Sequence, residues 1–164
     1  KVVLKDYRNQ KGQFDGIASI EMFEAVGEKY WPVYFNSLKN LMKNGAKSTL
    51  QIITIADEIF PEYRKRVDFI QKYIFPGGML PSKKALEKQF LQVGLKSINL
   101  KSFGSSYSKT LRLWHSSFNS VWDDIASVKF DDRFKRMWNF YLASCAAVFY
   151  SKTGDVIQVT LKKS

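Results

Sequence analysis

Residues 48–55 read STLQIITI, a run of β-branched and apolar side chains with no Pro or Gly. Such a run suits a central strand, covered on both sides and hydrogen-bonded on both edges. Gln51 is its exception. A buried amide needs partners, so this one is either satisfied by backbone or faces a site. Upstream, residues 30–43 place Tyr30, Val33, Tyr34, Leu38, Leu41 and Met42 at helical spacing, and Asn44-Gly45 is the stop signal. Before that helix, residues 14–21 (FDGIASIE) read as a buried strand with a polar exit, and residues 9–13 as a loop. Val2-Val3-Leu4 reads as a short strand, so the chain starts at Lys1 as if in mid-fold. Downstream, residues 58–75 are amphipathic and mostly helical, with Pro61 near the first turn. Residues 76–81 (PGGMLP) form a compact loop. Ser82 caps a helix that Gly94 stops. Residues 95–103 alternate as a strand, 108–128 and 131–150 form two long helices, and 156–162 (VIQVTLK) alternate as a last strand. Strands separated by helices predict an α/β fold with a largely parallel sheet, in which ligands sit at the carboxyl ends of strands. The polar residues at those ends are Asp6, Glu21 with Glu24, and residues 51–54.

Composition narrows the chemistry. Apolar residues make up 45% of the 164 and charged residues 25%, which excludes a disordered or collagenous chain. Aromatics reach 15%, enough for a core or an apolar ligand cavity. A single cysteine, Cys145, excludes an internal disulfide framework and leans toward a reducing compartment. A single histidine, His115, argues against a His/Cys metal cluster. No apolar run approaches the roughly 18 residues of a membrane-spanning helix, and the first ten residues lack the apolar stretch and cleavage site of a signal peptide. The formal net charge is +11, and nearly all of the excess lies beyond residue 60. It comes in short clusters: Arg64-Lys65-Arg66, Lys83-Lys84, Arg133 with Lys135-Arg136, and Lys162-Lys163. A Lys-rich soluble surface accounts for it, as does a polyanionic partner. No zinc finger, RNA-recognition motif or basic arm accompanies the clusters, so an anionic membrane surface is the better polyanion and nucleic acid the weaker one.

Five stretches carry a resemblance: FDGIASIEMFEAVGEKYWPVYFNSLKNLMKNG (14–45), VDFIQKYIFPGGMLPS (67–82), FGSSYSKTLRLWHSSF (103–118), DDRFKRMWNFYLASCAAVF (131–149) and DVIQVTLKK (155–163). In this order they resemble the cyclopropane-fatty-acyl-phospholipid synthase family of S-adenosylmethionine-dependent methyltransferases, which includes mycolic acid cyclopropane synthases. The resemblance covers essentially the whole chain. It implies a Rossmann-like methyltransferase fold with a mixed sheet and helices on both faces. It also implies methyl or methylene transfer from S-adenosylmethionine to the cis double bond of an unsaturated phospholipid acyl chain. A cytoplasmic enzyme, peripheral at the inner membrane surface, follows. The family's glycine-rich cofactor loop has no counterpart, since the sequence contains no E/D-x-G-x-G, and its first two strands are also unmatched. Residues 1–164 are therefore expected to be the C-terminal portion of a single methyltransferase domain, inactive alone, with a homo-oligomer as another way to cover the open sheet edge.

By the same resemblance, Glu24 holds a bicarbonate that takes up the proton, the Tyr107 hydroxyl contacts that anion, and the Ile53 backbone faces it. Gln51 stands where many family members have histidine; glutamine donates a hydrogen bond but does not titrate. Asp6 and Tyr7 flank the adenine ring, and Ile20 touches the cofactor. Read without the family, Glu24 is a solvated carboxylate near a helix start, Tyr107 a core tyrosine, Cys145 packed core and His115 a helix residue without a role. The Pro-Gly-Gly loop is by itself a weak phosphate signal. Two other functions remain open to the sequence: a methyltransferase of the same family with another lipid or small-molecule acceptor, and a non-catalytic lipid-surface or oligomerisation module.

Overall fold

The expected central strand is present. In a computed structural model that describes residues 2–126 and 128–163, β2 (Met42–Ile55) lies between β1 (Phe14–Ile20) and β4 (Gly154–Lys163), with β3 (Leu95–Ser102) beyond β4. β1 and β2 run parallel, with Ile20 opposite Gln51, whereas β3 and β4 are antiparallel. The sheet is therefore mixed rather than largely parallel.

Alternation along β2 decides which side is covered. Ser48, Leu50, Ile52 and Thr54 are buried, while Lys47 and Thr49 between them are exposed. The buried side meets α1 (Trp31–Leu41) and α4 (Lys83–Val93). Trp31, Phe35, Leu38, Leu86 and Phe90 pack with Leu50, Ile52, Val159 and Leu161 into one core. Each aliphatic side chain buried this fully contributes about 1.5–3 kcal/mol. The ends of α4 follow the sequence signals. The Ser82 hydroxyl accepts from the Ala85 N–H at 3.2 Å, and Gly94 turns the chain out with a φ of 71°.

The chain forms two compact units, Lys1–Ser102 with Val156–Ser164, and Phe103–Asp155. In the second, α5 (Gly104–Ser120) packs along α7 (Asp132–Tyr150), with the short α6 (Trp122–Ala126) between them in sequence. The Ser108 hydroxyl donates to the Ala146 carbonyl at 2.9 Å, and Asn119 pairs with Asn139. Asp155 receives the Gly104 N–H at 2.9 Å and so caps α5 from a distance in sequence. Gly154 admits no side chain, because a Cβ there would lie 2.6 Å from Val148 Cγ1.

Several expectations differ from the structure. Val2, Val3 and Leu4 are exposed and form no strand, because no neighbouring strand offers them a ladder; Lys1 lies outside the described residues. β1 is an edge strand and largely exposed, not buried. The helix over 30–43 gives way to strand at Met42. Residues 58–75 are not one helix but α2 (Phe60–Tyr63) and α3 (Phe69–Tyr73). The Asp68 carboxylate accepts from the Gln71 N–H and the Gln71 side chain accepts from the Asp68 N–H, a reciprocal cap that starts a new helix there. The helix expected from 108 begins at Gly104 and ends at Ser120; Ser127 lies outside the described residues.

Candidate functional site

The carboxyl ends of β1 and β2 bring the acidic pair together. The chain leaves β1 at Ile20, and Glu21 continues the ladder with its N–H on the Gln51 carbonyl at 2.9 Å. A 3-10 turn, Phe23–Ala25, then carries Glu24, anchored by the fully buried Phe23. Glu24 is held at both ends. Its Oε1 accepts from the Ile53 N–H at 2.6 Å, and its main-chain carbonyl accepts from the Met79 N–H at 2.8 Å. Its Oε2 is buried without a hydrogen-bond partner among the described residues. Burial pushes the Glu24 carboxyl above the usual carboxylate range; the Ile53 N–H opposes that shift, and the charge of Glu21 adds to it.

The Met79 contact gives the Pro-Gly-Gly loop a structural role. Gln71, almost fully buried, donates its Nε2 to the Gly78 carbonyl at 2.9 Å, and the Tyr63 hydroxyl accepts from the Leu80 N–H. A Cβ on Gly78 would lie 3.1 Å from the Phe75 carbonyl oxygen. The loop therefore braces the Glu24 turn from behind.

Gln51, the amide that needed partners, has them in side chains. Its Nε2 donates to Glu21 Oε1 at 2.8 Å, and its Oε1 accepts from Gln158 Nε2 at 2.9 Å. Both partners are remote in sequence; Glu21 is among the polar residues expected at the strand ends, whereas the strand pattern does not single out Gln158.

At the other side of β1, the Asp6 carboxylate caps a 3-10 turn, Tyr7–Asn9, and pairs with Arg8 at 2.7 Å. The Arg8 hydrogen bonds hold that carboxyl down to about 2. The turn sets the Tyr7 ring edge-on to Tyr34, centroids 5.5 Å apart. The Tyr34 hydroxyl donates to the Ser19 hydroxyl at 2.9 Å, and burial pushes Tyr34 up to about 12. Ile20 is 69% exposed, an apolar side chain left open at the strand end. Sequence reading passed over Tyr34 as plain core; its one signal was a tyrosine on an otherwise apolar helix face. Tyr107 belongs to the second unit, on α5, with its ring 5.9 Å from that of Phe103 and 5.4 Å from that of Phe149. Cys145 is half-buried on α7. Among the described residues no group of three or more His, Cys, Asp or Glu is placed to hold a metal ion, and no helix is long and apolar enough to cross a membrane.

A family model described as mycolic acid cyclopropane synthetase matches residues 1–159. The chain belongs to the mycolic acid cyclopropane synthetase family. This is a family of S-adenosylmethionine-dependent methyltransferases, and its fold is the one expected from the sequence motifs. Among curated members, the chain is 41% identical to a tuberculostearic acid methyltransferase of Mycobacterium tuberculosis over 98% of its own length and 38% of the relative's. It is 35% identical to a cyclopropane-fatty-acyl-phospholipid synthase of Escherichia coli, over 99% of its own length and 41% of the relative's. The chain thus spans about two-fifths of the length of these two curated family members. Among solved structures, a mycolic acid cyclopropane synthase complexed with SAH and CTAB superposes with a TM-score of 0.87 at 26% identity, over 98% of this chain and 59% of that one. A cyclopropane synthase from Mycobacterium tuberculosis shares the fold with a TM-score of 0.88, over 99% and 60% of the two chains.

Proposed function

We propose that this chain is the acceptor-side part of a methyltransferase that adds a methyl or methylene group to the cis double bond of unsaturated phospholipid acyl chains. The observation that carries the reading is Glu24, a buried carboxyl with one oxygen pinned to the Ile53 N–H and the other without a partner among the described residues. Such an oxygen suits a group that must take up a proton away from water.

Tyr7, on its 3-10 turn, and Ile20, at the end of β1, suit the adenine end of S-adenosylmethionine. Tyr7 offers an aromatic ring braced by Tyr34, Ile20 offers open apolar surface, and the Asp6–Arg8 pair keeps the turn beneath Tyr7 rigid. When bound, that cofactor supplies a methyl group on a positively charged sulfur, which an alkene can attack. The chain's own task is then to accept the proton lost as the alkylated acceptor returns to neutrality, and Glu24 Oε2 is the atom placed to hold it. Bicarbonate fits the folded site poorly. Of the groups of this unit assigned to it, the Ile53 N–H is taken by the Glu24 carboxylate and the Gln51 amide donates to the Glu21 carboxylate.

The excess positive charge beyond residue 60 supports a position on an anionic lipid surface, at the inner face of the membrane. The sequence has no E/D-x-G-x-G loop, so turnover is expected only where such a loop is supplied. Lipid extracts from cells expressing the gene test the reading. Unsaturated phospholipids that gain one CH2 unit, and fail to do so in Glu24→Gln, support it; unchanged lipids would sink it. The similarity to a tuberculostearic acid methyltransferase favours, as a second reading, another lipid acceptor or a methyl product without ring closure. Product structure separates the two.

A further inference from the structure

Glu21 stands apart in the site. It is one of three non-glycine residues with positive φ among those described, at 49°, a region that L-residues rarely adopt. Residues held there against their preference cluster at functional positions when the surrounding structure fixes them. Here the fixing contacts are visible. The Glu21 N–H extends the β1–β2 ladder to the Gln51 carbonyl, and its carboxylate turns back to accept from the Gln51 side chain at 2.8 Å. Backbone and side chain of one residue therefore grip backbone and side chain of another. Gln158 on β4 grips the same amide from its oxygen end at 2.9 Å, so the orientation of Gln51 is determined on both sides: NH2 toward Glu21, oxygen toward Gln158. Gln51 lies two residues before Ile53 on β2, so its side chain is on the same face of the strand as that of Ile53, whose N–H binds Glu24.

We infer that Glu21 is a positioning residue of this site: its carboxylate, and not a bound anion, sets the orientation of the Gln51 carboxamide. The negative charge of Glu21 also raises the proton affinity of Glu24, which strengthens it as a proton acceptor. The titratable groups in electrostatic contact with Glu24 are Glu21, on its own segment, and Tyr34 from α1. The inference rests on the reading of Glu24 as the proton-accepting group, but its test needs no turnover.

The experiment is NMR of the labelled 164-residue chain and two variants. Glu21→Gly keeps the backbone conformation and removes the carboxylate. The expected result is a Gln51 side-chain 15N heteronuclear NOE clearly below its wild-type value, with Gln158 still holding the amide oxygen, a Glu24 carboxyl midpoint that moves down, and a melting temperature that does not fall. Glu21→Gln keeps an acceptor oxygen and removes the charge. It is expected to leave the Gln51 NOE near its wild-type value while still lowering the Glu24 midpoint. An unchanged Gln51 NOE in Glu21→Gly overturns the positioning role. A Gln51 NOE that falls only when added bicarbonate is withdrawn, in the wild-type chain, overturns it in favour of the anion. A failure of the lipid test with the NMR result intact would strike the proposed function alone.

Discussion

Glu24 has one carboxyl oxygen bonded and one buried without a partner among the described residues, so its protonation state is coupled to folding. Burial raises its folded pKa above the ordinary 4.5. A carboxyl raised in this way favours the folded state fully below its unfolded pKa, and that advantage is lost as pH climbs through the folded value. Glutamine keeps an oxygen for the Ile53 N–H but cannot titrate. The melting temperature of Glu24→Gln relative to wild type is therefore expected to be higher at pH 7 than at pH 4, measured by thermal denaturation across that range. A difference independent of pH would show that burial does not govern this carboxyl. How much of this was legible varies by residue. Gln51 announced itself as an amide in an apolar strand. Its pairings did not, because Glu21 lies 30 positions away and Gln158 lies 107 away. The bond from Ile53 to Glu24 is a backbone donor, invisible to any reading of side chains.

At the scale of elements, local chemistry was legible where caps mark the ends. Ser82 and Gly94 bound α4 as expected, the apolar run 48–55 became the second half of β2, and the alternating runs became β3 and β4. The apolar run Val2–Leu4 failed because alternation and β-propensity do not create a neighbouring strand. The break between α2 and α3 was signalled by Asp68-x-x-Gln71, a capping pattern hidden in an amphipathic stretch. Gln71 then does more than cap. It binds the Gly78 carbonyl, and the adjoining Met79 N–H holds the Glu24 turn. Gln71→Ala would leave the half-buried Gly78 carbonyl without that donor and remove the reciprocal cap of α3, at a cost of about 1–3 kcal/mol. Ser82→Ala removes one helix cap, at about 1 kcal/mol. Urea denaturation should rank Gln71→Ala as the more damaging, and 15N shifts at Glu24 should move in Gln71→Ala but not in Ser82→Ala. Equal shifts in the two would mean that the loop does not brace the site.

For the whole molecule, charge and cofactor binding lead to separate tests. Exposed Lys84, Lys88, Lys96 and Lys101 belong to the basic excess beyond residue 60, and Arg64 and Lys65 are already paired with Glu28 and Glu62. Lys and Arg near an anionic bilayer contribute about 1 kcal/mol each, within a Debye length of roughly 10 Å at 0.1 M salt. Sedimentation with vesicles should therefore show binding that rises with anionic lipid and fades with salt; binding indifferent to both would remove the membrane reading of the charge. Cofactor binding follows from what Tyr7 and Ile20 offer. They present a half-buried aromatic ring and an open aliphatic side chain, the latter worth about 1.5–3 kcal/mol if fully covered. Association costs at least about 4 kcal/mol in lost freedom. The usual further contribution in this fold class is a glycine-rich turn that lets the cofactor approach backbone N–H groups, and the 164 residues contain no such pattern. S-adenosylmethionine should accordingly bind this chain more weakly than about 1 mM, close to −4 kcal/mol. Calorimetric titration reads this directly. Micromolar affinity would mean that Tyr7, Ile20 and their neighbours form a cofactor site sufficient without the glycine-rich turn.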